Sequence, residues 1–154
     1  MSISLKKLKN RESISSNKRL HQSYAKTVKL VEEIRDKDLP DETLILFNSE
    51  IDKLNSLENE NRKFRSQLRR SRNKLIQHLL KKHQLVTKRY YRTIWMSIGV
   101  GAFGVPLGVA MGSSVDNYGL IGTGLPIGLA IGLFIGVQLD NKAHKEGRQL
   151  DIEY

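Results

Sequence analysis

The sequence predicts an all-α chain, a cytoplasmic helical hairpin or coiled-coil stalk followed by a hairpin of two transmembrane helices with glycine faces. Three observations carry that fold class. From Asp41 to Ile98 there is neither glycine nor proline, and apolar residues recur at steps of three and four. All 12 glycines lie between Gly99 and Gly147, seven of them in two runs spaced by four. Two stretches of 23 residues, 93–115 and 117–139, contain no charged side chain.

The first fifteen residues are polar and basic and are expected to form a flexible N-terminus. Charge without an apolar run behind it does not read as a cleaved secretory signal, although a basic, serine-containing start is compatible with a transit peptide. Leu20, Tyr24, Val28, Val31 and Ile34 then mark a helix from about Ser16 to Asp36. In "DKDLPDE" (36–42), Pro40 suits a first helical turn, and Asp41 and Glu42 stand beside the positive end of the dipole. The short turn before it would fold the first helix back antiparallel on the second. From there Leu44, Phe47, Ile51, Leu54, Leu57, Phe64, Leu68, Leu75, Leu79 and Val86 form one seam on one long helix. Asn61 and Ser71 place polar groups in that seam, where such groups set register. With no breaker before Gly99, the helix is expected to run unbroken into the first span, so that residues 16–92 make the cytoplasmic unit.

Charge is ordered along this half. Residues 1–31 carry net +7, residues 32–60 net −7 and residues 61–92 net +12, within a whole-chain charge of +10. The third block is a basic patch of Arg62, Lys63, Arg65, Arg69, Arg70, Arg72, Lys74, Lys81 and Lys82. Close to a bilayer, such residues attract anionic lipid by about 1 kcal/mol each. On a steep helix the far end of the block stands about 30–45 Å away, beyond electrostatic reach of the surface. It then needs a cytoplasmic protein partner or nucleic acid, and the scarcity of aromatics makes nucleic acid the weaker expectation.

Each uncharged stretch exceeds the roughly 20 residues that a helix needs to cross a hydrocarbon core. Spans are expected at 94–112 and 120–139, within a membrane unit of residues 93–139, joined through "GSSVDNYG" (112–119) and followed by a cytoplasmic tail, 140–154. Lys88, Arg89, Tyr90, Tyr91, Arg92 and Trp95 precede the first span, and Lys142, Lys145 and Arg148 follow the second. The connection contains only Asp116. Cations at both outer ends and none between put both termini on the cytoplasmic side, with Tyr and Trp rings at the interface.

In water a mid-helix glycine costs about 0.8–1 kcal/mol against alanine, yet Gly104, Gly108 and Gly112 are followed by Gly124, Gly128, Gly132 and Gly136. In lipid the backbone must satisfy its own hydrogen bonds, so the helix forms regardless. Glycine at every fourth position then leaves a flat groove for a second helix. The two glycine faces could be satisfied within the hairpin, by a neighbouring subunit or by both; four successive glycines on the second span exceed what one partner helix needs, which favours a homo-oligomer. Pro106 and Pro126 are the candidate hinges. Pro106 is mid-span and should free the carbonyl of Ala102 and kink the helix, whereas Pro126 suits the first turn of the second span.

Little points to catalysis. "GVGAFG" (99–104) fits a dinucleotide fingerprint by spacing, but it follows a basic helix instead of a strand and has no acidic residue about 20 positions on. Cysteine is absent. His78 and His83, five apart, are expected to point in different directions, and His21 and His144 are isolated. The carboxylates of "DKDLPDE" lack the spacing of a calcium loop. No metal, cofactor or enzymatic activity is expected.

The segment from Ile98 to Leu150, with GxxxG runs in both spans and the ending "LDNKAHKEGRQL", resembles small bacterial glycine-zipper membrane proteins. The resemblance covers about a third of the chain. It implies a bacterial inner (plasma) membrane and helical assembly, and brings no functional residues with it. The functional expectation is a non-enzymatic integral membrane protein that oligomerises through its glycine faces and presents a basic stalk to a partner. An oligomeric pore or membrane effector, and a membrane-tethered nucleic-acid binder, are the alternatives.

Overall fold

A computed structural model of the chain describes residues 3–11, 14, 17–57, 62–114 and 117–153. The chain is mostly helical and divides into two compact units, residues 1–85 with 150–152, and residues 86–149 with 153–154. Asn61 and Asp116, to which the sequence assigns a seam position and the connection's charge, lie outside the described residues.

The first unit packs α1 (Lys18–Arg35), α2 (Asp41–Asn55) and α3 (Arg62–His83), with α3 against both of the others. Asn17 caps α1 by accepting the Leu20 N–H at 3.1 Å, and α2 starts directly after Pro40. Two apolar clusters fill the unit. Leu30, Ile34, Phe47, Leu75, Leu79 and Leu85 form one with Leu150 and Ile152, and Ile14, Leu20, Tyr24, Leu54, Phe64 and Leu68 form the other. The expected seam is therefore largely the buried face, but it closes on neighbouring helices of the same chain.

The single long helix does not form. The segment ends α2 at Asn55, restarts as α3 at Arg62 and stops again at His83. There Gln84 takes a left-handed backbone (φ 54°) and the Leu85 N–H bonds the Leu79 carbonyl at 3.2 Å. Arg89 is left-handed as well (φ 59°). Neither is glycine, so composition gave no warning of the break.

The N-terminal segment, expected to be flexible, is laid along α2. Asn48 and Asn55, two helical turns apart, act as surrogate backbone partners. The Lys6 and Lys9 N–H groups donate to their side-chain oxygens at 2.8 and 3.0 Å, and their amide groups donate to the Ser4 and Lys7 carbonyls, both at 3.0 Å. Arg11 donates to the Leu54 and Leu57 carbonyls at the C-terminal end of α2 and lies 4.6 Å over the Phe64 ring. A cation suits that negative helix end.

The second unit comprises β1 (Val86–Lys88), α4 (Tyr90–Ile98), a π-helical turn (Gly99–Gly104), α5 (Val105–Ser114), a 3-10 turn (Tyr118–Leu120) and α6 (Ile121–Lys145). Gly147, left-handed at φ 67°, ends α6. β2 (Gln149–Glu153) follows and pairs with β1 in a two-stranded sheet that the all-α expectation lacked. Val86, expected in the helical seam, is thus a strand residue. Residues 90–114 and α6 are both 25 residues long and apolar enough to cross a membrane. Each rises about 37 Å, against roughly 30 Å of hydrocarbon.

Candidate functional site

The hairpin is built backbone against backbone. Its two rods run antiparallel, since Gly108 meets Ile121, Gly104 meets Gly124 and Leu125, Gly99 meets Gly128 and Gly132, and Arg92 meets Gly136. A Cβ placed on Gly124 would stand 2.7 Å from the Gly108 Cα, one on Gly128 2.6 Å from the Gly104 Cα, and one on Gly136 2.5 Å from the Arg92 Cα. No side chain fits at those separations. Gly112 is buried too, and its carbonyl accepts the Asn117 N–H at 2.9 Å. All four glycines expected to exceed the needs of one helix, Gly124, Gly128, Gly132 and Gly136, face the partner rod of the same chain. These contacts account for all four within one chain.

Gly99 belongs to this face and was missed because it stands five residues before Gly104. The intervening "GVGAFG", which had the dinucleotide spacing, forms the π-helical turn, and the Val105 N–H bonds the Val100 carbonyl. The wider turn rotates Gly99 onto the face of Gly104, Gly108 and Gly112. It also ends two residues before Pro106, which is the second residue of α5. Pro126 is the sixth residue of α6 and not in its first turn, so its missing N–H leaves the Gly122 carbonyl without its helical donor.

The outward surface is the reverse of a soluble protein. The buried residues of α5 are Gly108 and Gly112, and those of α6 are the four glycines, Asp140 and Ala143. Phe103, Val105, Leu107, Val109, Met111, Leu125, Ile127, Leu129 and Phe134 are exposed, Phe134 by 68%. Lys88, Arg89, Tyr90, Tyr91, Arg92 and Trp95 surround the start of α4, while Lys142 and Lys145 lie in the last turns of α6. Antiparallel packing brings both sets to one end of the hairpin, where the Tyr90 and Tyr91 rings meet edge to face at 5.2 Å.

Asp140 is the residue that sequence reading passed over. It continues the four-residue register of Gly124 to Gly136, yet it is a buried carboxylate. Its Oδ1 and Oδ2 accept the Tyr91 and Arg92 N–H groups at 3.0 and 3.1 Å. No local side chain caps α4, so α6 supplies the cap from across the hairpin.

In the first unit the expected basic patch divides into two flanks of α3. At about 100° per residue, Arg62, Arg65, Arg69 and Arg72 form one stripe, whereas Lys63, Arg70, Lys74 and Lys81 fall on the other side. Lys82 is exposed at the helix end. The arginine stripe and Arg19 of α1 line a groove of about 610 Å³. Arg72 Nη1 donates to Ser23 Oγ of α1 at 3.1 Å. On the other flank, the buried Glu50 of α2 accepts Lys53 Nζ and Lys74 Nζ, both at 2.8 Å, and Ser71 Oγ at 2.7 Å. Burial pushes that carboxyl up, but the hydrogen bonds from Lys53, Lys74 and Ser71 overcome it and hold it at about 2. Ser71, placed in the seam by sequence, is thus the inner ligand of a buried carboxylate.

His78 and His83 do not point apart. Both Nε2 atoms approach Thr43 Oγ1, at 3.2 and 2.8 Å, with ring centroids 5.9 Å apart. Burial, and then the neighbouring His83, lower the His78 pKa. Among the described residues no group of three His, Asp or Glu side chains could hold a metal ion. Comparison with protein-family models, with curated proteins and with solved structures finds no match.

Proposed function

We propose that this chain is a non-enzymatic membrane-anchored protein. Its hairpin lies in a bilayer, both termini are cytoplasmic, and its basic three-helix unit meets an anionic or protein partner. The observation that carries the reading is the inversion of the hairpin: glycine fills the contact between the rods while large apolar side chains cover the outside. Such an exterior would be a severe liability in water and costs nothing in hydrocarbon. The basic and aromatic residues gathered at one end of the hairpin support the orientation. The resemblance of residues 98–150 suggests a bacterial inner membrane as the setting. Because the glycine faces meet within one chain, anchoring needs no homo-oligomer.

Fractionation tests the proposal. After alkaline carbonate treatment of cell membranes the chain is expected to stay in the pellet, with a cysteine introduced at Asn117 shielded from cytoplasmic reagents and one introduced at Ser4 labelled. Release into the supernatant would remove the anchor, and the opposite labelling pattern would invert the topology.

A further inference from the structure

Among the described residues, nine line the groove between α1 and α3, of which five are arginines and none is acidic. Arg62, Arg65, Arg69 and Arg72 of α3 line it together with Arg19 of α1, over a floor that includes Leu20. Among the described residues no carboxylate pairs with Arg19, Arg62, Arg65 or Arg69, and Arg72 is held by a neutral hydroxyl. Side chains three or four apart on a helix stand about 5–6 Å from one another, well inside the Debye length of about 8 Å at physiological salt. Their mutual repulsion is therefore poorly screened, while two carboxylates of the same unit are engaged elsewhere. Glu50 holds Lys53 and Lys74, and Asp52 holds Lys6. Arginines on two walls of one concavity offer forked donors from both sides, the arrangement that suits phosphate oxygens.

We infer that this groove is a binding site for a compact, multiply phosphorylated ligand, either a soluble polyphosphate or the headgroup of a polyphosphorylated lipid. Its volume lies in the range of small-molecule sites. Among the described residues no aromatic side chain lines it, so they offer no stacking platform of the kind a single-stranded nucleic-acid site uses. It is also concave, whereas a duplex is read by an element that projects into its groove. Ser23 and Ser66 add hydroxyls beside the guanidinium groups. The inference does not depend on membrane insertion, because all the lining residues belong to the first unit.

Titration calorimetry on the full chain in detergent solution tests it, with tripolyphosphate and a water-soluble short-chain phosphatidylinositol bisphosphate as probes. Saturable binding of at least one is expected, and the tighter of the two identifies the source of the phosphates. Arg65→Gln/Arg69→Gln is expected to weaken that binding about tenfold or more, and Lys81→Gln/Lys82→Gln, an equal charge loss on the same helix, by less than about twofold. Both pairs are exposed, and an unchanged thermal melt confirms that the variants fold. No saturable binding, or equal weakening by the two pairs, overturns the site. Tighter binding of a single-stranded oligonucleotide through the same arginines overturns it in favour of nucleic acid.

Discussion

Two carboxylates do unlike work in the two units. Glu50 is buried among two lysines and a serine, and its pKa is about 2 instead of 4.5. A depressed carboxylate pKa contributes stability that is complete above the unfolded value and is lost as pH falls through the folded one. Unfolding of the first unit, followed by denaturant titration of the full chain, should therefore show a loss of at most about 3 kcal/mol between pH 5 and 2. Glu50→Gln should weaken the wild-type stability at pH 7 and flatten that pH dependence; an unchanged slope would mean the carboxylate is not what titrates. Asp140 acts on backbone instead of side chains. Asp140→Ala leaves the Tyr91 and Arg92 N–H groups unpaired at the start of α4 and should cost the hairpin about 1–2 kcal/mol. Hydrogen exchange at those two amides should accelerate in the variant, and protection equal to wild type would show that the cap is supplied elsewhere. The spacing signal for Asp140 was present, since it is the next fourth position after Gly136, but a charge that close to an apolar run reads as the end of a span and not as part of its packing.

At the scale of elements, the hairpin depends on which glycines face the partner rod, and it contains its own control. A Cβ on Gly101 or Gly122 meets nothing within 4 Å, whereas one on Gly99, Gly128 or Gly132 runs into opposing backbone. Gly101→Ala and Gly122→Ala should be neutral or stabilise by up to about 1 kcal/mol through helix propensity. Gly128→Leu and Gly132→Leu should separate the rods, read as loss of intramolecular crosslinking between cysteines introduced on the two rods. Tolerance of all four alike would mean that the rods do not pack through glycine. The stripe of period four was legible because nothing else in the chain repeats it. The π-helical turn was not, because a five-residue step from Gly99 to Gly104 breaks the period and only the widened backbone restores it. In the first unit the buried face was legible from apolar spacing. The stop of α3 at His83 was not, because it is made by left-handed Gln84 and Arg89, and no glycine or proline marks it.

For the molecule as a whole, the proposed placement of the second unit in a bilayer accounts for two opposite interiors. The first unit hides Phe47, Phe64 and Leu75 and exposes arginine and lysine, while the second hides glycine and exposes Phe103, Leu107 and Phe134. The asymmetry of charge and glycine along the sequence foretold the two halves. It did not foretell the cationic groove, because the arginines of α3 are separated from the lysines only by helical phase and Arg19 joins them only through folding. The short strands escaped prediction for a related reason: three residues at β1 give too brief a pattern to read. The most direct test of the central claim is spin-label accessibility on the full chain reconstituted in lipid vesicles, with nitroxides at residues 103, 107, 127 and 134. The account predicts frequent collisions with oxygen and few with a water-soluble nickel complex at all four positions. Frequent collisions with the nickel complex would put those side chains in water and contradict it.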